Sequence, residues 1–426
     1  MQRVLTACLA AVFLLLPIQF LVLPFNMSAA DLVGFATLPL CWVVLLHGKK
    51  PVVAPLLPAF WLVAVVTGLS VLLSADPGGS LTSLLKEVYL YGWLVTVCTI
   101  WANADERAGR LLLIAWLAGV YANGALILLQ FVSPAVLDTM NAMVAGVGKL
   151  DLNRPSGLME NSNAAALYQV TGFVPLVALR LPYGRMLIAG SVLLLTVLGT
   201  GSMGALLAFA TGLAAGLAGL IVLFQDWRRV LQFGVAAGLV ASVLAVVVLV
   251  ATQTVPGIQE RIDYVLTGRS GYSAESRFEI WERGLDMFFG EPRLFGVGPD
   301  QYKQITGKEL HNDAFSHLIE RGPPGLMALL LLAFCAVRHA VQLALRGRQL
   351  RDPSLLGFLA GLVSIATVGM THEVFHQRPV WMVLALQEAW WWRTRQRASR
   401  PAVPTGLPAD GHLRDVSTSR RTQSTT

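Results

Sequence analysis

The residues in this chain best suited to chemistry gather in two polar stretches. Residues 252–325 carry Arg261, Arg269, Arg277 and Arg283, the run Phe295-Gly296-Val297-Gly298, the pair His311-Asn312, and Gly322-Pro323-Pro324-Gly325. An earlier stretch, Asp151 to Asn163, places Arg154 beside Pro155-Ser156-Gly157. Guanidinium groups grip anionic oxygens through planar, charge-assisted hydrogen bonds. An imidazole titrates near neutral pH and can take a proton from an attacking hydroxyl. Arg154, Arg261 and Arg277 are therefore the candidate anion ligands, His311 is the candidate general base, and Asn312 is placed to orient an acceptor or the histidine. Lys86, beside Glu87 near the end of an apolar run, is a further cationic candidate, although a lysine there also snorkels to headgroups.

Arg277 is the most informative of these. Ser276-Arg277-Phe278-Glu279 has the form of a capping box, and Gly290 followed by Pro292 supplies a stop, which predicts one helix between them. On its wheel Phe278, Ile280, Trp281, Leu285, Met287 and Phe288 share an arc, with Glu279, Glu282, Arg283 and Asp286 opposite. Arg277 falls inside the apolar arc. A guanidinium there either reaches water from a frayed first turn or points into a site that receives an anion. The Gly296-Val297-Gly298 run reads as a tight turn, because a lone Gly-x-Gly without a flanking strand and helix is weak evidence for a phosphate cradle. His311, Asp313 and His317 lack a zinc spacing, and no paired carboxylates suggest magnesium, so no metal and no other cofactor is expected.

The elements that must position these groups are membrane helices. Of the 426 residues, 55% are hydrophobic and only 13% charged, with a mean hydropathy of +0.62, which overrides a reading as two or three soluble domains. The fold class is all-α and polytopic. A span takes about 20 apolar residues, and about twelve runs qualify: 4–24, 29–47, 51–74, 83–101, 111–131, 161–180, 185–200, 202–224, 229–251, 322–345, 354–372 and 376–393. The first, after a single Arg3, is expected to be a retained span rather than a cleaved signal peptide, since no small-x-small site follows it.

The net charge of +7 does not point to nucleic acid, because the basic residues fall in short connectors. Lys49-Lys50, Arg107 with Arg110, Arg180 with Arg185, Arg228-Arg229, and Arg346 with Arg348 and Arg351 mark every second connector, while 75–80 and 199–204 are nearly uncharged. This alternation puts both termini in the cytoplasm and the loops 132–160 and 252–321 outside it. The chain thus divides into residues 1–251 with nine spans and the short outer loop, the large loop 252–321, spans ten to twelve within 322–393, and a disordered cytoplasmic tail at 394–426. Cys8, Cys41, Cys98 and Cys335 all lie in apolar runs and read as packing residues. Asn161, Ser162 or Asn163 caps the span that follows Arg154. The turn Thr200-Gly201-Ser202-Met203-Gly204 uses small residues to let two helices approach.

With those residues in view the chain resembles the O-antigen ligase family, within a wider group of O-antigen polymerases and O-oligosaccharyltransferases. The family motif is His, then Asn, Ser or Gln, nine residues, Gly, two residues, and Gly, Thr or Tyr; His311-Asn312, Gly322 and Gly325 satisfy it. Ser276 to Trp281, Phe295 to Gly298, and Arg154 to Asn163 look like other segments of that family. One departure is Ser202-Met203-Gly204, where many relatives have Ser-Arg-Gly. The resemblance implies a GT-C-like glycosyltransferase architecture in the bacterial inner membrane, with its large, partly helical loop in the periplasm. It implies transfer of O-antigen from undecaprenyl diphosphate to a sugar hydroxyl of lipid A-core, with Arg154, Arg261, Arg277 and Lys86 on the diphosphate and His311 as base. A protein O-oligosaccharyltransferase or an O-antigen polymerase is the nearest alternative. A polyprenyl-glycan transporter fits less well, because runs such as Leu193 to Leu198 and Val243 to Val250 are purely aliphatic.

Overall fold

The computed structural model describes residues 2–19, 29–144, 154–232, 271–290 and 293–399, with four isolated positions between 233 and 242. Its elements are helical, with no strand among the described residues. The first group comprises α1 (Gln2–Leu15), α2 (Ala29–His47), α3 (Leu57–Leu73), α4 (Pro77–Asn103), α5 (Glu106–Val132) and α6 (Pro134–Val144). The second comprises α7 (Ser162–Thr171), α8 (Phe173–Ala178), α9 (Tyr183–Thr200) and α10 (Met203–Phe224). After the polar stretch begin α11 (Gly271–Gly290), α12 (Gln301–Thr306), α13 (Asp313–Leu350), α14 (Leu356–Gly369) and α15 (Arg378–Ser399).

Five of these helices contain segments long and apolar enough to cross a membrane: Ala30–His47, Glu106–Val132, Tyr183–Thr200, Met203–Phe224 and Asp313–Leu350. Val4–Leu15, Leu57–Leu73 and Pro353–Gly369 are shorter apolar helices. Their outward faces carry exposed Val43, Leu46, Trp61, Leu72, Ile188, Val222 and Phe334. Apolar side chains so disposed are stable only against hydrocarbon. The inward faces close on large aromatics: Phe13 stacks on Trp116 at 5.6 Å between ring centroids and lies 5.5 Å from Trp101, and Phe60 stacks on Tyr91 at 3.8 Å.

Several expected spans change form. The run 161–180 is not one helix but α7 and α8, broken at Gly172 just before Pro175 removes a backbone donor. The last span starts at Arg378 and continues to Ser399, so residues 394–399 of the expected tail are helical. The outer loop 132–160 contains α6, which starts at Pro134, a residue preorganised for a first helical turn. The expected span 229–251, the segment 252–270 and the tail beyond 399 lie wholly or largely outside the described residues.

The two ends of the bundle differ in chemistry. At one end Arg180 pairs with Asp352, Arg229 pairs with Asp226 at 3.0 Å, and Arg393 donates to the carbonyl oxygens of Ala102 and Ala104. Arg180 follows the C-terminus of α8 and Arg393 reaches the C-terminus of α4, where exposed carbonyls favour cations, while Arg229 lies in the first turn of the helix that Asp226 caps. The opposite end holds the α3–α4, α9–α10 and α14–α15 turns and the start of α13. It carries the candidate site.

Buried ion pairs tie the helices together on that side. Glu87 of α4 is fully buried and accepts a hydrogen bond from Arg321 of α13 at 2.6 Å, while Thr67 of α3 donates to the same carboxylate at 3.1 Å. Arg378 pairs with Asp31 between α15 and α2. Such pairs cost several kilocalories to desolvate and persist only when each group is well satisfied.

Candidate functional site

The site is built on a break in α13. Gly322 adopts φ 71°, and Pro323-Pro324 then restart the helix, so the stretch from Asp313 to Arg321 forms an arm set off from the span that follows. A methyl group on Gly322 would meet the Leu294 carbonyl and the Gly296 amide, and its φ lies where L-residues are strained. The break frees carbonyls that need donors. Val297 and Gly298 supply them, their N–H groups donating to the oxygens of Ile319 (3.1 Å) and Glu320 (2.9 Å), and the Ser70 hydroxyl adds a second bond to Glu320 at 2.7 Å. The glycine run 295–298 is thus a brace for the arm, in keeping with the tight turn expected of it. Gly322→Ala should destabilise the fold by more than about 1 kcal/mol, the usual cost of a left-handed residue before any clash. Thermal unfolding of the purified protein in detergent measures this, and an unchanged midpoint would contradict the account of the break.

His311-Asn312 starts the arm. Asn312 is the N-cap: its Oδ1 accepts from the Phe315 N–H at 3.0 Å, and its Nδ2 donates to the Met370 carbonyl at 2.9 Å. Both ends of that amide are therefore committed to backbone. His311, with φ 53°, lies one residue outside the helix in the left-handed region and is half-exposed. Strain of this kind persists only when its surroundings hold it. Trp281 does so, donating its indole N–H to the Leu310 carbonyl at 2.8 Å while its ring packs 5.2 Å from Phe315.

Trp281 belongs to α11, whose Ile280 packs with Tyr302, Leu310 and Ile319 in a small cluster of its own. The helix starts at Gly271, five residues before the expected capping box, so Ser276 is an interior residue and not its cap. The apolar arc is otherwise as expected, save that Phe278 is exposed. Arg277 lies one turn before Trp281, half-buried, and its side chain makes no hydrogen bond among the described residues. Burial first, then the neighbouring Arg154 guanidinium, lower its pKa.

Arg154 comes from the other polar stretch. Its Nε and Nη2 donate to the Thr200 carbonyl at 3.1 and 2.9 Å, which anchors it to the α9–α10 turn and leaves Nη1 without a partner among the described residues. Asn161 caps α7 through the Ala164 N–H at 2.8 Å, one of the three capping residues expected. The two guanidiniums are close enough for the charge of Arg154 to act on Arg277, and neither has a carboxylate hydrogen-bond partner among the described residues.

The structure therefore brings Arg154, Arg277 and His311 together. Lys86 stands apart: its charged neighbours are Arg378, Asp300, Glu160 and Glu373, so it meets the cluster only at the edge. Arg261 lies outside the described residues. Sequence reasoning missed His372, whose ring stands perpendicular to that of His311 at 6.2 Å between centroids. The polar turn Thr371-His372-Glu373 between two apolar runs was the available signal. Among the described residues no three His, Cys, Asp or Glu side chains converge to hold a metal ion.

The electrostatics of His311 suit a base. Burial pulls its pKa below 6.5, Glu309 at 3.9 Å from Nδ1 opposes this, and Arg277 and Lys303 add to the lowering. A depressed value keeps the imidazole neutral, hence able to accept a proton, at neutral pH. Activity that needs neutral His311 should be flat above pH 6.5 and fall only as the pH drops through its lowered pKa. A rate–pH profile whose acid limb is centred above 6.5 would contradict this assignment.

Without a strand among the described residues, apolar on its outer faces and polar at one end, the chain is a multi-pass membrane protein. Residues 188–330 match the family model described as O-antigen ligase. The matched segment includes α10, α11, α12 and the arm of α13 with His311, Gly322 and Gly325; Lys86, Arg154 and His372 lie outside it. No curated protein matches the chain.

Proposed function

We propose that this protein is an O-antigen ligase, transferring O-antigen polysaccharide from undecaprenyl diphosphate to a sugar hydroxyl of lipid A-core at the periplasmic face of the inner membrane. The observation that carries the reading is the meeting of two guanidiniums, Arg154 and Arg277, with the half-exposed imidazole of His311. The donor's leaving group is a diphosphate whose negative charge grows as the anomeric bond breaks. Preorganised cations stabilise that charge more in the transition state than in the ground state. Arg154 and Arg277 bind it, with Arg261 and Lys86 as further ligands.

The acceptor hydroxyl attacks the anomeric carbon from the face opposite the diphosphate. Its proton passes to His311, and the bonding pair of the anomeric C–O bond leaves on the phosphate oxygen, giving inversion without a metal ion or other cofactor. Asn312 keeps the histidine in register by capping the arm and gripping the α14–α15 turn. The basic end of the bundle faces the cytoplasm, following the positive-inside rule.

The acceptor separates this reading from its relatives. Purified protein given undecaprenyl-diphosphate-linked O-antigen, lipid A-core and a candidate pilin should place glycan on lipid A-core. Glycan on the pilin would identify a protein O-oligosaccharyltransferase, lengthened lipid-linked glycan a polymerase, and movement across vesicles without product a transporter.

A further inference from the structure

The turn between α14 and α15 is held against the histidine arm from both sides. Asn312 donates to the carbonyl of Met370, just before Thr371-His372-Glu373. The carboxylate of Asp313 accepts from the N–H groups of Val374 (3.0 Å) and Phe375 (3.1 Å), just after it. The two residues that follow His311 therefore bracket the three-residue turn that contains His372. Gly204, at the start of α10, closes the other flank: a side chain there would press on the Thr371 hydroxyl.

Among the described residues the His372 ring makes no hydrogen bond, and the His311 ring has Glu309, 3.9 Å from Nδ1, as its ion-pair partner. Burial first, then Arg277, His311 and Arg154, pull the His372 pKa down to about 3, so its imidazole is neutral. A neutral imidazole has one N–H donor and one acceptor nitrogen, the complement of a hydroxyl group, whereas the anionic diphosphate is better served by the neighbouring guanidiniums.

We propose that His372 is a substrate-binding residue that holds the acceptor's attacking hydroxyl between itself and His311. A hydroxyl oxygen about 2.8 Å from one nitrogen of each ring fits between centroids 6.2 Å apart. The hydroxyl directs its O–H at His311 and accepts a hydrogen bond from the His372 N–H in one lone pair. The other lone pair is left to attack the anomeric carbon. The proton moves to His311, His372 keeps its own, and the leaving pair departs with the diphosphate. This placement rests on the ligase reading above.

The test is the dependence of transfer rate on lipid A-core concentration at saturating donor, with donor binding measured separately, for wild type, His372→Ala and His372→Asn. His372→Ala should lower kcat/KM for lipid A-core by roughly ten- to a hundredfold, the range for an unmade hydrogen bond in a desolvated site, with donor binding unchanged. His372→Asn, whose amide supplies an N–H, should recover part of the loss. An unchanged acceptor dependence in folded His372→Ala overturns the proposal. So does a loss confined to donor binding, which would move the ring to the diphosphate. If His311→Ala proves fully active while His372→Ala loses acceptor dependence, the base assignment fails and the His372 contact stands.

Discussion

Replacing His311 with alanine should lower the transfer rate by about a hundred- to ten-thousandfold, the usual worth of a general base, without unfolding the protein. The size follows from chemistry. A sugar hydroxyl is a poor nucleophile until its proton is taken, and among the described residues no carboxylate pairs with the His311–His372 rings more closely than Glu309, 3.9 Å from His311 Nδ1. The sparing of the fold follows from geometry. The His311 side chain donates no hydrogen bond to the arm, whose start is fixed instead by Asn312, Asp313 and the Trp281–Leu310 bond. Alanine at 311 still has to accept φ 53°, so a small loss of stability accompanies the large loss of rate. Initial rates at saturating donor and acceptor, beside a thermal melt, separate the two. A variant that melts with wild type and transfers at the wild-type rate would remove His311 from the chemistry.

Arg277→Ala is the second large effect, about a hundred- to a thousandfold in kcat, in line with the removal of one preorganised charge-stabilising donor. Arg277 sits half-buried beside the like charge of Arg154, with no acid paired to it among the described residues. An arrangement that is unfavourable when empty becomes favourable when an anion enters, so the alanine variant should be no less stable than wild type, and its donor affinity should fall with its rate. Lysine at 277 restores charge but not the planar fork, and should recover only part of the activity. Equal loss of activity in Arg277→Lys and Arg277→Ala would show that geometry, not charge, dominates; full activity in Arg277→Ala would show that Arg277 does not bind the leaving group.

Much of this site was legible because its residues answer local demands. A helix N-cap calls for Asn, which is what Asn161 and Asn312 provide, and a break at positive φ calls for Gly, which explains Gly322. Arg277 on an apolar arc announced an unusual environment, and it is the residue the structure leaves without a hydrogen-bond partner among those described. What escaped was produced by contacts between distant segments. His372 meets His311 only because Asn312 grips Met370, 58 residues away. Glu87 lies near the end of an apolar run in the sequence, yet it is fully buried, since Arg321 reaches it across 234 residues. The start of α11 at Gly271 was hidden by a capping box that is only a coincidence of composition. Met203 is exposed in the α9–α10 turn, and Arg154 reaches that same turn by donating to the Thr200 carbonyl.

The account turns on a division of labour, arginines for the leaving diphosphate and a histidine for the acceptor's proton. Donor binding and transfer to lipid A-core, measured side by side in chelator for wild type, His311→Ala and Arg277→Ala, test it most directly. The account predicts that wild type binds and transfers, that His311→Ala binds donor as well as wild type but does not transfer, and that Arg277→Ala loses both. Transfer by His311→Ala at the wild-type rate, or undiminished donor binding by Arg277→Ala, would contradict it.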